Sequence, residues 1–216
     1  MGGILNRTWE MLHDGRFLKK ALMIACPVAL QGMLNTIVNM VDTLMIGGLG
    51  STAIAAVGLA NKVFFVFSLL VFGIVSGGGI LAAQFWGSGD VKNIRKVLGL
   101  CVMLAMVGAL FFVIPAIASP KMVMRIFTTS EGSIELGAKY LRIAALCYPF
   151  IALTNVYVAM LRASNKVVFP VICSCIAIAI NICLNYVLIF GKFGAPTMGV
   201  AGAACATLIA RCIAVT

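Results

Sequence analysis

VLGLCVMLAMVGALFFVIPAIASP, residues 97–120, decides the fold class. No charged side chain interrupts this run, which is too long for a core strand and about long enough for a helix to cross a hydrocarbon layer of roughly 30 Å. It lacks the strict alternation of a barrel strand. Lipid admits only helices or closed barrels, so the run reads as a transmembrane helix.

Working outward, five further runs have the same character. One covers about 21–47, interrupted only by Asp42, and another about 53–85, with Lys62 as its one charge. The others cover about 134–161, apolar between Arg142 and Arg162, about 167–190, and about 196–216, apolar as far as Arg211. Six transmembrane helices in an all-α membrane protein is the fold predicted. Composition agrees: of 216 residues, 62% are apolar and 10% charged, with a mean hydropathy of +1.13. A soluble domain carries about a quarter charged residues, so a soluble enzyme, a nucleic-acid module and a disordered chain are excluded.

The net charge of +10 is not a nucleic-acid signal. Its lysines and arginines punctuate the apolar runs instead of lining one face: Arg7, Arg16, Lys19 and Lys20, then Lys92, Arg95 and Lys96, then Arg162 and Lys166. With a cytoplasmic N-terminus, those nine and Arg211 make ten inside, against five outside (Lys121, Arg125, Lys139, Arg142, Lys192). The positive-inside rule favours that orientation in a cell membrane. Residues 1–20, with Trp9, Leu12, Phe17 and Leu18 among charges, fit an amphipathic helix on the membrane surface or a frayed tail. The eight cysteines form no Cys-x-x-Cys pair and read as small packing residues, not as a disulfide frame or metal site.

Turn signals fall between the runs. Gly47 to Ser51, Gly87 to Asp90 and Gly191 to Pro196 are breakers, Thr128 to Gly132 offers helix caps, and Val91 to Lys96 reads as a short polar helical piece. Gly73 with Gly77, and Gly202 with Ala206, are small-residue pairs suited to close helix packing.

An ionisable residue within a membrane helix is a functional candidate by default, and Asp42 is the one acid that qualifies. At about 100° per residue, Gln31, Asn35, Asn39 and Asp42 share one face of the first run, which should front protein or a water-filled cavity. Ser174, Asn181 and Asn185 share a face of the fifth run within about 40°. Their amides can partner a carboxylate, ligate a hard cation through oxygen, or act as interhelical glue. Tyr148 and Asn155, seven residues apart, share a face of the fourth run and are weaker cavity candidates. Pro27 and Pro115 free backbone carbonyls and allow bends. No enzyme signature accompanies these residues: the single histidine, His13, has no partner, and no glycine turn has a phosphate-loop pattern.

Gln31-Gly32-Met33-Leu34-Asn35 through Val41-Asp42-Thr43-Leu44-Met45-Ile46-Gly47 resembles the first helix of the multidrug and toxic compound extrusion (MATE) family. Ala56 to Asn61, Gly77 to Gly79, Ala83 to Asp90, Leu161 to Lys166, Asn181 to Gly191 and Gly199 to Ala204 match in the same order, covering nearly the whole chain. The resemblance implies secondary active efflux of small organic cations against H+ or Na+, with no other cofactor. It also implies a twelve-helix protein in which this chain is the N-terminal six-helix lobe and a C-terminal lobe is its partner. Asp42 matches the aspartate of the family's N-lobe cation site and Asn181 a fifth-helix asparagine; Thr207 is the sixth-helix candidate. Asn185 stands where one subgroup has a second aspartate, and Asn181 is expected to matter more than Asn185. A carboxyl so placed would be either protonated or cation-loaded, each state favouring a different bend of the first helix near Pro27. A lipid-linked sugar flippase of the same superfamily and a non-transporting membrane scaffold are the alternatives.

Overall fold

The computed structural model describes residues 15–192 and 197–215. Among them the elements run α1 (Gly15–Gly47), α2 (Ser51–Gly87), α3 (Val91–Ala118), α4 (Pro120–Arg125), α5 (Glu131–Ala144), α6 (Cys147–Ala163), α7 (Val168–Phe190) and α8 (Val200–Val215), with no strand among the described residues. Residues 1–14, most of the segment expected on the membrane surface, lie outside the described residues; residues 15–20 form the start of α1.

Each of the six apolar runs is helical. Three helices, α2, α3 and α7, are individually long and apolar enough to cross a bilayer, and α5 with α6 qualifies as one span bent by 48°. The 33 residues of α1 extend about 50 Å at 1.5 Å per residue; α8 is apolar but shorter. α1 continues as one helix through Pro27, which has no N–H to offer the Met23 carbonyl.

Three local differences from the expected runs have backbone causes. The fourth run breaks at Ala145–Leu146 because Pro149 lacks the N–H that would bond the Ala145 carbonyl and its ring crowds that carbonyl. The Tyr148 N–H takes it instead, at 3.0 Å. The third run stops at Ala118, because Pro120 disfavours helical geometry at Ser119 (φ −142°, ψ 61°) and opens the short α4. Val91 to Lys96 is no separate piece but the first turns of α3, capped by Asp90, whose carboxylate accepts from the Asn93 N–H at 3.1 Å.

Contacts between turns fix which helix ends coincide. Gly48 lies beside Phe190, Gly199 beside Leu49, and Gly132 beside Thr52. The α1–α2 turn, the α7–α8 turn and the start of α5 therefore share one end of the bundle, and the α2–α3 and α6–α7 turns lie at the other.

The main core forms where α2 meets α3, α5 and α6, around Phe67, Val71, Ala105, Ala109, Leu141 and Val156. Small residues let these helices approach, which is how helices associate in lipid where apolar burial gives little. Gly202 makes the closest approach to another helix's backbone: a Cβ there would sit 2.6 Å from the Leu188 carbonyl oxygen of α7. Gly73 and Gly77, by contrast, face open space and are not a packing pair. All eight cysteines are free; Cys101 and Cys147 are buried as packing residues should be, whereas Cys26, Cys175 and Cys183 are exposed. Outward-facing Phe72 (69% exposed) and Phe111 (72%) belong to the broad apolar surface that lipid covers.

Candidate functional site

α1 packs mainly on α7, and the polar residues of both helices meet along that seam in two separate clusters. The first lies toward the α1–α2 turn. Asn185 of α7 donates from Nδ2 to Asp42 Oδ1 of α1 at 2.6 Å and to Asn181 Oδ1 at 3.1 Å. Asn181 donates in turn to Thr207 Oγ1 of α8 at 3.4 Å, and the Thr207 hydroxyl donates to the Ala203 carbonyl at 3.0 Å. The line Asp42–Asn185–Asn181–Thr207 thus joins three helices. Asn181 and Asn185 lie four residues apart on one face of α7, so both amides reach across the same seam.

Burial sharpens the picture. Asn185 is 0% exposed and Asn181 7%, while Asp42 is half-buried. The Asn185 Oδ1 oxygen is buried without a hydrogen-bond partner. An orphaned acceptor of this kind costs about 1–3 kcal/mol. The Asp42 carboxylate, the orphaned Asn185 oxygen and Asn181 Oδ1 are oxygen donors of the kind that a hard cation takes.

The second cluster lies toward the opposite end, about 16 Å along α1 from Asp42. Gln31, 7% exposed, donates from Nε2 to Ser174 Oγ of α7 at 2.6 Å and accepts at Oε1 from Arg162 Nη2 of α6 at 2.6 Å. The Ser174 hydroxyl donates to the Pro170 carbonyl at 2.8 Å. Gln31 and Ser174, candidates for a cavity wall or for interhelical bonding, are tied to each other across the seam.

The remaining expected cavity residues separate. Asn35 and Asn39 are exposed. Tyr148 is 2% exposed in the main core and stacks on Phe67 with centroids 4.6 Å apart, so it lines no cavity. Asn155 is exposed despite sharing the calculated face with Tyr148. Along α6 the buried positions 148, 152, 156 and 160 step by four, which rotates the buried stripe about 40° per step and away from Asn155.

Two arginines had been counted only as topological charges. Arg162 belongs to the Gln31 cluster. Arg211 sits inside α8, half-buried and close enough to Asp42 for their charges to interact. Removing it from the loop count leaves nine basic residues against five, and the orientation argument keeps its sign. A signal for Arg211 was present: it lies four residues after Thr207, on the same helical face.

Comparison with known proteins bears on this arrangement. Residues 27–187 match the MatE family. The chain is 32% identical over 195 residues to a probable multidrug resistance protein NorM of Thermotoga maritima, covering 89% of this chain and 42% of the relative. It is 32% identical over 192 residues to the probable multidrug resistance protein YoeA of Bacillus subtilis, covering 85% of this chain and 40% of the relative. Among solved structures it is similar to the outward-facing conformation of a multidrug resistance MATE family transporter of the MOP superfamily. The TM-score is 0.82 at 23% identity, over 91% of this chain and 43% of that one. The fold is accordingly that of a six-helix lobe of a multi-pass, MATE-type membrane protein. The chain belongs to the MatE family, and it spans about two fifths of the length of the relatives it matches.

Proposed function

We propose that this lobe is the N-terminal half of a secondary active multidrug efflux transporter in the cell membrane, its N-terminus cytoplasmic. It exports small organic cations in exchange for H+ or Na+, with a second six-helix lobe completing the transport cleft. The coupling ion occupies the cluster of Asp42, Asn185, Asn181 and Thr207. The observation that carries this reading is the Asp42 carboxylate bonded to a fully buried Asn185 whose own oxygen has no partner. The names of the relatives support efflux, and the share of those relatives that the chain covers supports a second lobe.

The physical logic needs one titrating group. Asp42 in lipid surroundings is stable as the neutral acid or as a carboxylate beside a cation, and each form presents different hydrogen-bond demands to Asn185. A cation arriving at Asp42 displaces the proton, so the two occupancies exclude one another. That exclusion is what exchange of ions requires, provided each occupancy favours a different conformation.

The test is proton release on cation binding. The 216-residue chain in lipid nanodiscs, in weakly buffered solution, should release protons when Na+ or a cationic dye is added. Asp42→Asn should insert and fold normally yet release none. Equal proton release from that variant would reduce Asp42 to an interfacial acid.

A further inference from the structure

We infer that Arg211 is a tethered cation that competes with an incoming metal ion for the charge of Asp42; this rests on reading the Asp42 cluster as the coupling-ion site. The placement comes from α8. Thr207 and Arg211 are one turn apart on the face that meets α7, and the Thr207 hydroxyl is the last member of the hydrogen-bonded line from Asp42. Arg211 lies about 17 Å along α8 from Val200, within the helix and one turn before Val215. Side chains on a helix lean toward its N-terminus. The N-terminal end of α8 is the end shared with the α1–α2 turn, where Gly199 meets Leu49. The guanidinium is therefore directed up toward the level of Asp42.

Charge accounting points the same way. The ion pairs among the described residues, Arg125–Glu131 and Lys139–Glu135, are exposed and distant in sequence, and Asp90 is engaged in capping α3. Among the described residues Asp42 is the carboxylate left inside the lobe, and its charge interacts with that of Arg211. Even a half-buried arginine within a membrane helix is costly without a countercharge. Asn185 supplies oxygen but no second negative charge. With Arg211 in place, the carboxylate already has its countercharge, and a bound Na+ would add a net positive charge to a partly desolvated site. At an effective dielectric constant near 20, a unit charge about 10 Å away alters ion affinity by roughly tenfold or more. Arg211 thereby sets which ion the lobe accepts: weakly held Na+ in its presence, tightly held Na+ once its charge is removed.

The experiment is equilibrium 22Na+ binding to the full 216-residue chain in nanodiscs, with folding checked by circular dichroism. Arg211→Gln, and Arg211→Met as a second neutral variant, should bind Na+ about tenfold more tightly than wild type. Arg211→Lys should stay near wild type, and adding Asp42→Asn to either neutral variant should abolish the gain. Unchanged or weaker Na+ binding in the folded neutral variants, with Asp42→Asn still abolishing binding, would remove the role of Arg211 and leave the site reading standing. Binding that persists in Asp42→Asn in every background would overturn the site itself.

Discussion

At the scale of single residues, Asn185 and Asn181 divide the work around Asp42 unequally. The resemblance gave the greater weight to Asn181, but it is Asn185 that donates to the carboxylate at 2.6 Å and is fully buried. Asn185→Ala removes the direct partner and the orphaned oxygen together, and leaves Asn181 Oδ1 without its donor. It should weaken cation binding by about tenfold or more, the cost of a lost hydrogen bond to a charged group, whereas Asn181→Ala should cost less. Asn185→Asp adds a second carboxylate and should raise Na+ affinity. Titration of the three variants in nanodiscs checks the order; a larger loss in Asn181→Ala would reverse the assignment. Asp42 and its amides were legible in the sequence because polar side chains in an apolar helix have few places to go. Arg162 and Arg211 were not, because a basic residue at the end of an apolar run is also what loop topology predicts. Helical arithmetic gives a side chain's direction but not how far along the seam its partner stands, so Gln31 and Ser174 were placed on the right faces without being paired with each other.

At the scale of elements, the line from Asp42 to Thr207 depends on how closely α8 approaches α7. Gly202 sets that approach: a Cβ there meets Leu188 backbone atoms, which cannot swing aside as a side-chain tip can. Gly202→Ala should therefore push the helices apart and break the Asn181–Thr207 contact first, since at 3.4 Å it is the longest in the line. The expected outcome is a fall in thermal stability together with weaker cation binding. Gly73→Ala and Gly77→Ala, with nothing within 4 Å of either added carbon, should change neither. Stability and binding unchanged in Gly202→Ala would detach the site from the α7–α8 packing. Both small-residue pairs show the same spacing in sequence, and only the partner surface distinguishes them. The break between α5 and α6 was hidden for a related reason. Pro149 was visible, but hydropathy runs straight through it, and a run's length says nothing of bends within it.

At the scale of the molecule, the lobe has polar groups that its own helices do not cover. Asn35, Asn39 and Asn155 are exposed on helices that otherwise present apolar surface. In hydrocarbon each exposed amide would be costly, so these positions should front another protein surface or water. A second lobe with a cleft between the two meets that requirement, in the manner of transporters built from repeated halves that rearrange around a shared site. The Asp42 cluster, by contrast, draws all its members from α1, α7 and α8 of this lobe. Ion binding and transport should therefore separate. The 216-residue chain reconstituted alone in liposomes is predicted to bind cations in an Asp42-dependent way, yet to move no cationic dye when a proton or sodium gradient is imposed. Supplying the C-terminal lobe of a MATE relative as a separate chain should restore gradient-driven movement, and Asp42→Asn should abolish it again. Gradient-dependent dye transport by this chain as a monomer would show that one lobe suffices. The same transport by a dimer would mean that a second copy supplies the missing wall, a distinction that cross-linking in the same liposomes resolves.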